Sequence, residues 1–293
     1  MTNQRAAVCG IAMACACALW PAVAAADEVE EPQGVGGVRV GSHVAARAAP
    51  LGLLWQNDVG YRFGLSSSDS LLLDGTYVEP GVTTQITPSS ARGGVFLEAL
   101  PLAVLHLRVS AQVSGYLGAW GYLHLPADPE DPGDWSLGDL GGGPMDGTSG
   151  SGVMLEAVAT PRALVGSTVF LAETKVRWAR VDLDQPYYEP NFDMLVEPTD
   201  SYWVTRPTLG RVFAMPERDT WLVAALRWEH GRTANTDVTR DMAAAVGLWK
   251  LPWTLGRDSE MMLAVVGGYW VRHPNREGTI YAASQLTVEW EGL

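Results

Sequence analysis

Cysteine is nearly missing from this chain. The three that exist are Cys9, Cys15 and Cys17. All lie in an Ala-rich stretch that starts after Arg5 and ends at Ala24-Ala25-Ala26, just before Asp27. A short positive start, an apolar run and small residues before a break form the pattern of a secretory signal peptide, so cleavage is expected after Ala26. Pro21 and the mild hydropathy of the run argue against a retained membrane anchor. Taking 26 from 293 residues leaves 267, and the expected mature chain has no cysteine. That excludes a disulfide scaffold, a thiolate metal site and a cysteine nucleophile from it, and suits export into an oxidising compartment.

Lysine is scarce too, with Lys175 and Lys250 the only two. The whole chain carries a formal charge of −13. Nucleic-acid binding needs basic surfaces that neutralise phosphates, so that class is excluded. Also lacking are long apolar runs. Hydrophobic residues make up 47% of the chain, yet after the leader none forms the roughly 18-residue run of a membrane helix. Helical periodicity is rare, and Met242 to Leu248 is its best short example.

What the chain has instead is alternation. From Ala103 to Leu117 the odd positions (Leu105, Leu107, Val109, Ala111, Val113) are apolar, and the even ones include His106, Arg108, Ser110, Gln112 and Ser114. Successive strand residues point to opposite faces, so this is an extended strand with one apolar and one polar face. The same rule holds for Leu53, Trp55, Val59, Tyr61 and Phe63 against Gln56, Asp58 and Arg62. Phe170, Ala172, Val176 and Trp178 oppose Glu173, Lys175 and Arg177, while Leu222, Ala224, Leu226 and Trp228 oppose Arg227 and Glu229. Ile280, Ala282, Leu286, Val288 and Trp290 oppose Gln285, Thr287 and Glu289. Fifteen extended residues reach about 50 Å, far beyond the usual soluble strand of about 5–6 residues.

Thirteen segments qualify as strands: 38–48, 51–64, 70–79, 80–88, 92–100, 103–117, 151–160, 163–182, 201–215, 219–230, 238–250, 258–271 and 278–291. The expected fold is all-β, a transmembrane up-and-down antiparallel barrel of about 12 strands, with 10 to 14 allowed, because single-chain bacterial barrels have even numbers. Residues 1–26 are the leader, 27–37 a short periplasmic segment and 38–293 the barrel. Trp55, Trp120, Trp178, Trp203, Trp228, Trp249, Trp270 and Trp290 fall near segment ends, where an interfacial girdle would put them. Ser66 to Asp69 and His273 to Gly278 read as tight connections. The longer Pro126–Gly150 and Gln185–Asp200 stretches read as external loops.

These residues resemble Gram-negative outer-membrane β-barrels, a resemblance carried by the leader, the amphipathic strands and the final segment from Ile280 to Leu293. The stretch Ser68-Asp69-Ser70-Leu71-Leu72-Leu73 and the stretch from Leu102 to Arg108 are similar to uncharacterised members of that class. One departure is the ending Trp290-Glu291-Gly292-Leu293, where Trp290 is in phase with the apolar face and Leu293 is not. The resemblance implies an outer-membrane location, with lipid, lipopolysaccharide and the barrel-assembly machinery as partners.

Arg62, His106, Arg108, Gln112, Glu173, Lys175, Arg177, Arg227 and Glu229 are the candidate lumen-lining residues. They point to a porin-like passive channel with a charged lumen. The alternatives are a closed structural or adhesion barrel and a lipid-modifying enzyme. For the last, His106 and Ser110 share a face but stand about 13 Å apart along a strand, too far for a nucleophile and its base, so no enzyme and no cofactor is expected. The acidic run Asp128-Pro129-Glu130-Asp131-Pro132-Gly133-Asp134 lacks the alternating ligands of an EF-hand loop. It reads as a solvated loop, with divalent-cation binding as the alternative.

Overall fold

The computed structural model describes residues 36–48, 52–66, 70, 72–73, 75–88, 90–117, 148–189, 192–215, 220–255, 259–274 and 276–291. The leader and the acidic run at 128–134 lie outside them, as does Trp120.

Alternation becomes a barrel. The wall consists of β1 (Gly37–Ala48), β2 (Gly52–Gly64), β3 (Tyr77–Thr87), β4 (Ser90–Leu102), β5 (Leu105–Leu117), β6 (Ser149–Val165) and β7 (Thr168–Val181), then β10 (Thr199–Met215), β11 (Thr220–Thr233), β12 (Thr239–Lys250), β13 (Ser259–Arg272) and β14 (Ile280–Glu291). Between β7 and β10 sits a short hairpin of β8 (Tyr187–Glu189) and β9 (Met194–Val196). Each wall strand pairs antiparallel with its neighbour, and β14 closes onto β1 with Val40 opposite Trp290. The result is a closed twelve-stranded barrel. Its outer surface exposes Leu53, Trp55, Val82, Val113, Leu155, Phe170, Leu226 and Ile280. An apolar exterior on a sheet with no open edge is the form a bilayer accepts, because closure leaves no strand without a neighbour on either side. This is a transmembrane barrel of the outer-membrane type.

Thirteen expected strands become twelve for local reasons. The described residues between 70 and 76 are not strand, and β3 instead runs from Tyr77 straight through Pro80. The strand expected at 163–182 is divided by a turn at Gly166, whose φ of 61° suits a residue without a Cβ. The helix-like stretch Met242–Leu248 is strand, part of β12.

Prolines mark gaps in the ladders. No residues pair between Gly60↔Gly81 and Phe63↔Val78, where Pro80 falls, nor between Ala99↔Leu107 and Leu102↔Leu105, where Pro101 falls. Pro161 and Pro207 fall in comparable gaps, between β6 and β7 and between β10 and β11. Proline brings no N–H to a ladder, so each gap is where its cost is least.

Gly37 and Glu291 lie at one end of the barrel. Leu117 and Ser149, which flank the longest connection, and Val181 and Thr199, which flank the next, lie at the other. Long connections are external in this class, so the termini mark the periplasmic end. Inside, the two sides of the wall differ. Along β7 and β10 to β14 the interior is an apolar cluster, from Val169, Trp221, Val223, Leu248 and Met262 at the lower end through Val246 and Ala264 up to Trp270. Trp270 therefore belongs to the core and not to a girdle. It is only 1% exposed and packs edge-on against Tyr281 at 5.9 Å. On β13 both faces are apolar, so alternation alone did not reveal which one faces lipid.

Candidate functional site

All nine sequence-picked polar residues face the interior. Arg62 comes from β2, His106, Arg108 and Gln112 from β5, Glu173, Lys175 and Arg177 from β7, and Arg227 and Glu229 from β11. Seven of the nine line an interior chamber, and most of the nine are not free. They are bound up in ion pairs with partners that the sequence reading had not picked.

At the periplasmic end the pairs form a floor on the β14 and β1–β5 side. Arg39 reaches Glu79 at 3.3 Å, Glu98 at 3.4 Å and Glu289 at 3.1 Å. Arg62 joins Glu79 at 3.1 Å, and Arg108 bridges Asp58 at 3.0 Å and Glu98 at 3.1 Å. His106 Nε2 stands 3.2 Å from Glu98, which also accepts a 2.7 Å bond from the Tyr77 hydroxyl. Gly60 leaves the room this needs, since a Cβ there would lie 2.6 Å from Glu79 Oε1. The apolar cluster fills the remaining side of this end. His106 and Ser110 do not meet: the histidine is held by Glu98, and the Ser110 hydroxyl accepts from Gln112 at 3.1 Å.

Higher up, a belt of charge crosses four strands. Glu173 pairs with Arg206 at 2.6 Å, Arg206 with Glu229 at 2.6 Å, and Glu229 with Arg240 at 2.6 Å. Beside it Glu156 binds Arg177 closely, and Lys175 stands 3.7 Å away from the same carboxylate. The partners Arg39, Glu79, Glu98, Glu156, Arg206 and Arg240 sit in phase with the polar faces of their strands. Extending the alternation rule to every segment would have found them.

The third part was missed entirely. The connection 185–200 was expected to stand outside the barrel. It does lie at the external end, but its β8–β9 hairpin folds into the mouth, where each of its six strand residues is at most 2% exposed. Short buried strands from a loop leave no alternation long enough to read. Glu189 is held by Arg92 at 3.2 Å and by the Tyr116 hydroxyl at 3.3 Å. Phe192 lies over the Arg177 guanidinium at 4.2 Å and edge-on to Tyr202. Met194 packs on Gly231, where a Cβ would come within 2.7 Å of its methyl carbon. Asp193 adopts φ 51° and accepts a short bond from the Tyr188 hydroxyl, with Arg276 Nε at 2.7 Å and His273 Nε2 at 3.2 Å. Burial by itself would raise the Asp193 carboxyl. The hydrogen bond from His273, together with the charges of His273 and Arg276, outweighs burial and holds it well below the usual carboxylate range. Burial pushes the Tyr188 phenol up, further helped by the Asp193 charge.

Between hairpin, belt and floor remains a chamber of about 220 Å³, with Phe192 and Asp193 among its lining residues. Seven arginine or lysine side chains line it against four carboxylates.

No protein family and no curated protein sequence matches the chain. Solved structures do. The β domain of the Bordetella autotransporter BrkA is 14% identical, with 88% of this chain and 99% of that one covered and a TM-score of 0.49. An outer membrane channel from Pseudomonas putida F1 is 10% identical over 90% and 98% of the two chains, with a TM-score of 0.41. LpxR from Salmonella typhimurium is 11% identical over 86% and 99%, with a TM-score of 0.40. At these values the likeness is one of barrel architecture and carries nothing about activity.

Proposed function

We propose that this chain is a closed outer-membrane barrel, a structural or adhesion platform that does not pass solutes in its resting form. One observation carries the reading: the β8–β9 hairpin is bonded into the external mouth, above a periplasmic end filled by ion pairs and apolar side chains. A passive pore needs a continuous water path with room for hydrated ions. Among the described residues, the chamber of about 220 Å³ lies between the hairpin and the floor and falls short of one.

A porin-like channel is the second reading, favoured by the excess of cations around the chamber, which would bias it toward anions. It requires the hairpin to leave the mouth.

Planar-bilayer recording of the folded full-length chain separates the two. The closed barrel predicts insertion with no steady conductance, and at most rare openings after residues 187–196 are deleted. Steady single-channel conductance from the unmodified protein would overturn the closed reading. Steady current only after the deletion would favour the gated channel.

A further inference from the structure

The charged chamber contains an arginine that makes no ion pair among the described residues. Arg227 is 3% exposed, on the inward face of β11 directly above the apolar cluster. Its Nε donates to the Thr208 hydroxyl at 3.3 Å, and its Nη2 is buried with no hydrogen-bond partner. Among the described residues it makes no ion pair, because the nearby carboxylates are engaged elsewhere. Glu173 and Glu229 are bridged by Arg206, and Glu229 is bound again by Arg240.

A guanidinium cannot shed its proton to escape burial. Glu173 and Glu229 attract that of Arg227 from a distance but neither pairs with it, so the site favours a further counter-anion. Lys175, on the same chamber wall, is also under-used. Its ammonium is 3.7 Å from Glu156, beyond hydrogen-bond length, and it feels Glu173 only through charge.

We propose that the chamber binds a compact oxyanion, held by the Arg227 guanidinium with the Lys175 ammonium as a second positive charge. The planar fork of Arg227 favours an anion with two or more acceptor oxygens. The chamber volume has room for an anion of phosphate size, and its position inside the wall selects a dissolved anion over a lipid headgroup. The proposal stands on the chamber, on Arg227 without an ion pair and on Lys175 only loosely paired, whether or not the barrel conducts.

The test folds the full-length chain in detergent with radiolabelled inorganic phosphate, removes free label by gel filtration and measures what is retained. Wild type is expected to keep close to one phosphate per chain, in the presence of a tenfold excess of chloride. Arg227→Gln should weaken retention at least tenfold, and Lys175→Met several-fold. Arg232→Gln, at an exposed pair with Asp237, should leave it unchanged. If Arg227→Gln gives no heat-modifiable band and so does not fold, Lys175→Met decides alone. No retention by wild type would mean that water alone solvates Arg227 and would overturn the proposal. Equal retention by the folded variants would do the same, and displacement by chloride would overturn the oxyanion class.

Discussion

Arg276 Nε lies 2.7 Å from Asp193 Oδ2, which ties the connection between β13 and β14 to the tip of the hairpin that fills the mouth. Asp193 also takes the Tyr188 hydroxyl, so one carboxylate holds both the hairpin's own turn and its attachment to the wall. Asp193→Asn keeps the shape and removes the charge. The expected cost is about 2–3 kcal/mol, as for hydrogen bonds to a charged group. Amide exchange in 187–196 should then accelerate by roughly two orders of magnitude while strand amides stay protected. Unchanged protection in the hairpin would show that Asp193 is not its latch.

The same carboxylate sets an acid limit. A group whose folded pKa is depressed contributes stability that is fully present above its unfolded value, near 3.9, and is lost as pH falls through the folded value. Because His273 and Arg276 hold Asp193 well below the ordinary range, the hairpin should stay docked from pH 7 down to pH 4. Exchange measured across that interval should show constant protection of 187–196. Release between pH 7 and pH 5 would place the controlling group elsewhere.

Arg39 is the counter-ion for three carboxylates of the floor, on Glu79, Glu98 and Glu289. Arg39→Met would leave them facing one another with only Arg62, Arg108 and His106 nearby. Breaking a buried pair from one side costs about 3–5 kcal/mol. The variant's folded band on unboiled gels should therefore convert at a clearly lower temperature than wild type. Pairing Arg39→Met with Glu98→Gln should recover part of the loss, and a double variant no better than the single would argue against a coupled cluster.

The apolar half of the interior makes an independent prediction. Leu248 is fully buried among Val246, Met262 and Trp221, and truncation to alanine should cost about 2–5 kcal/mol through lost burial and a residual cavity. Read by the same gel conversion, an effect below about 1 kcal/mol would mean that this side is hydrated and not packed.

How much of this could be read from the chain depends on which face carried polar residues. Where one face is charged, as in β5 with His106, Arg108 and Gln112, alternation gave both strand and orientation. Where both faces are apolar, as in β13 around Met262, Ala264 and Trp270, it gave the strand and misplaced Trp270. The lumen residues were legible one by one, but their pairing was not. The contact of Arg39 with Glu289 joins residues 250 positions apart, and only closure of the barrel brings them together. The hairpin escaped notice because its stability comes from partners on β4, β5 and the 273–279 connection, not from its own sequence pattern.

Pro161 and Pro207 flank β7 at the same height, since Ala172 of β7 lies opposite Pro207 and in the gap beside Pro161. The ladder between β6 and β7 and the one between β10 and β11 are thus interrupted in one row. A wall lacking rungs there bends more easily than its neighbours. The row passes through a lipid-facing hollow lined by Ala172, Ala243, Ala245 and Gly267, where small side chains offer little padding against deformation. If the bilayer squeezes or thins around this barrel, the dent should deepen here first, and lateral stress would reach the chamber by this route.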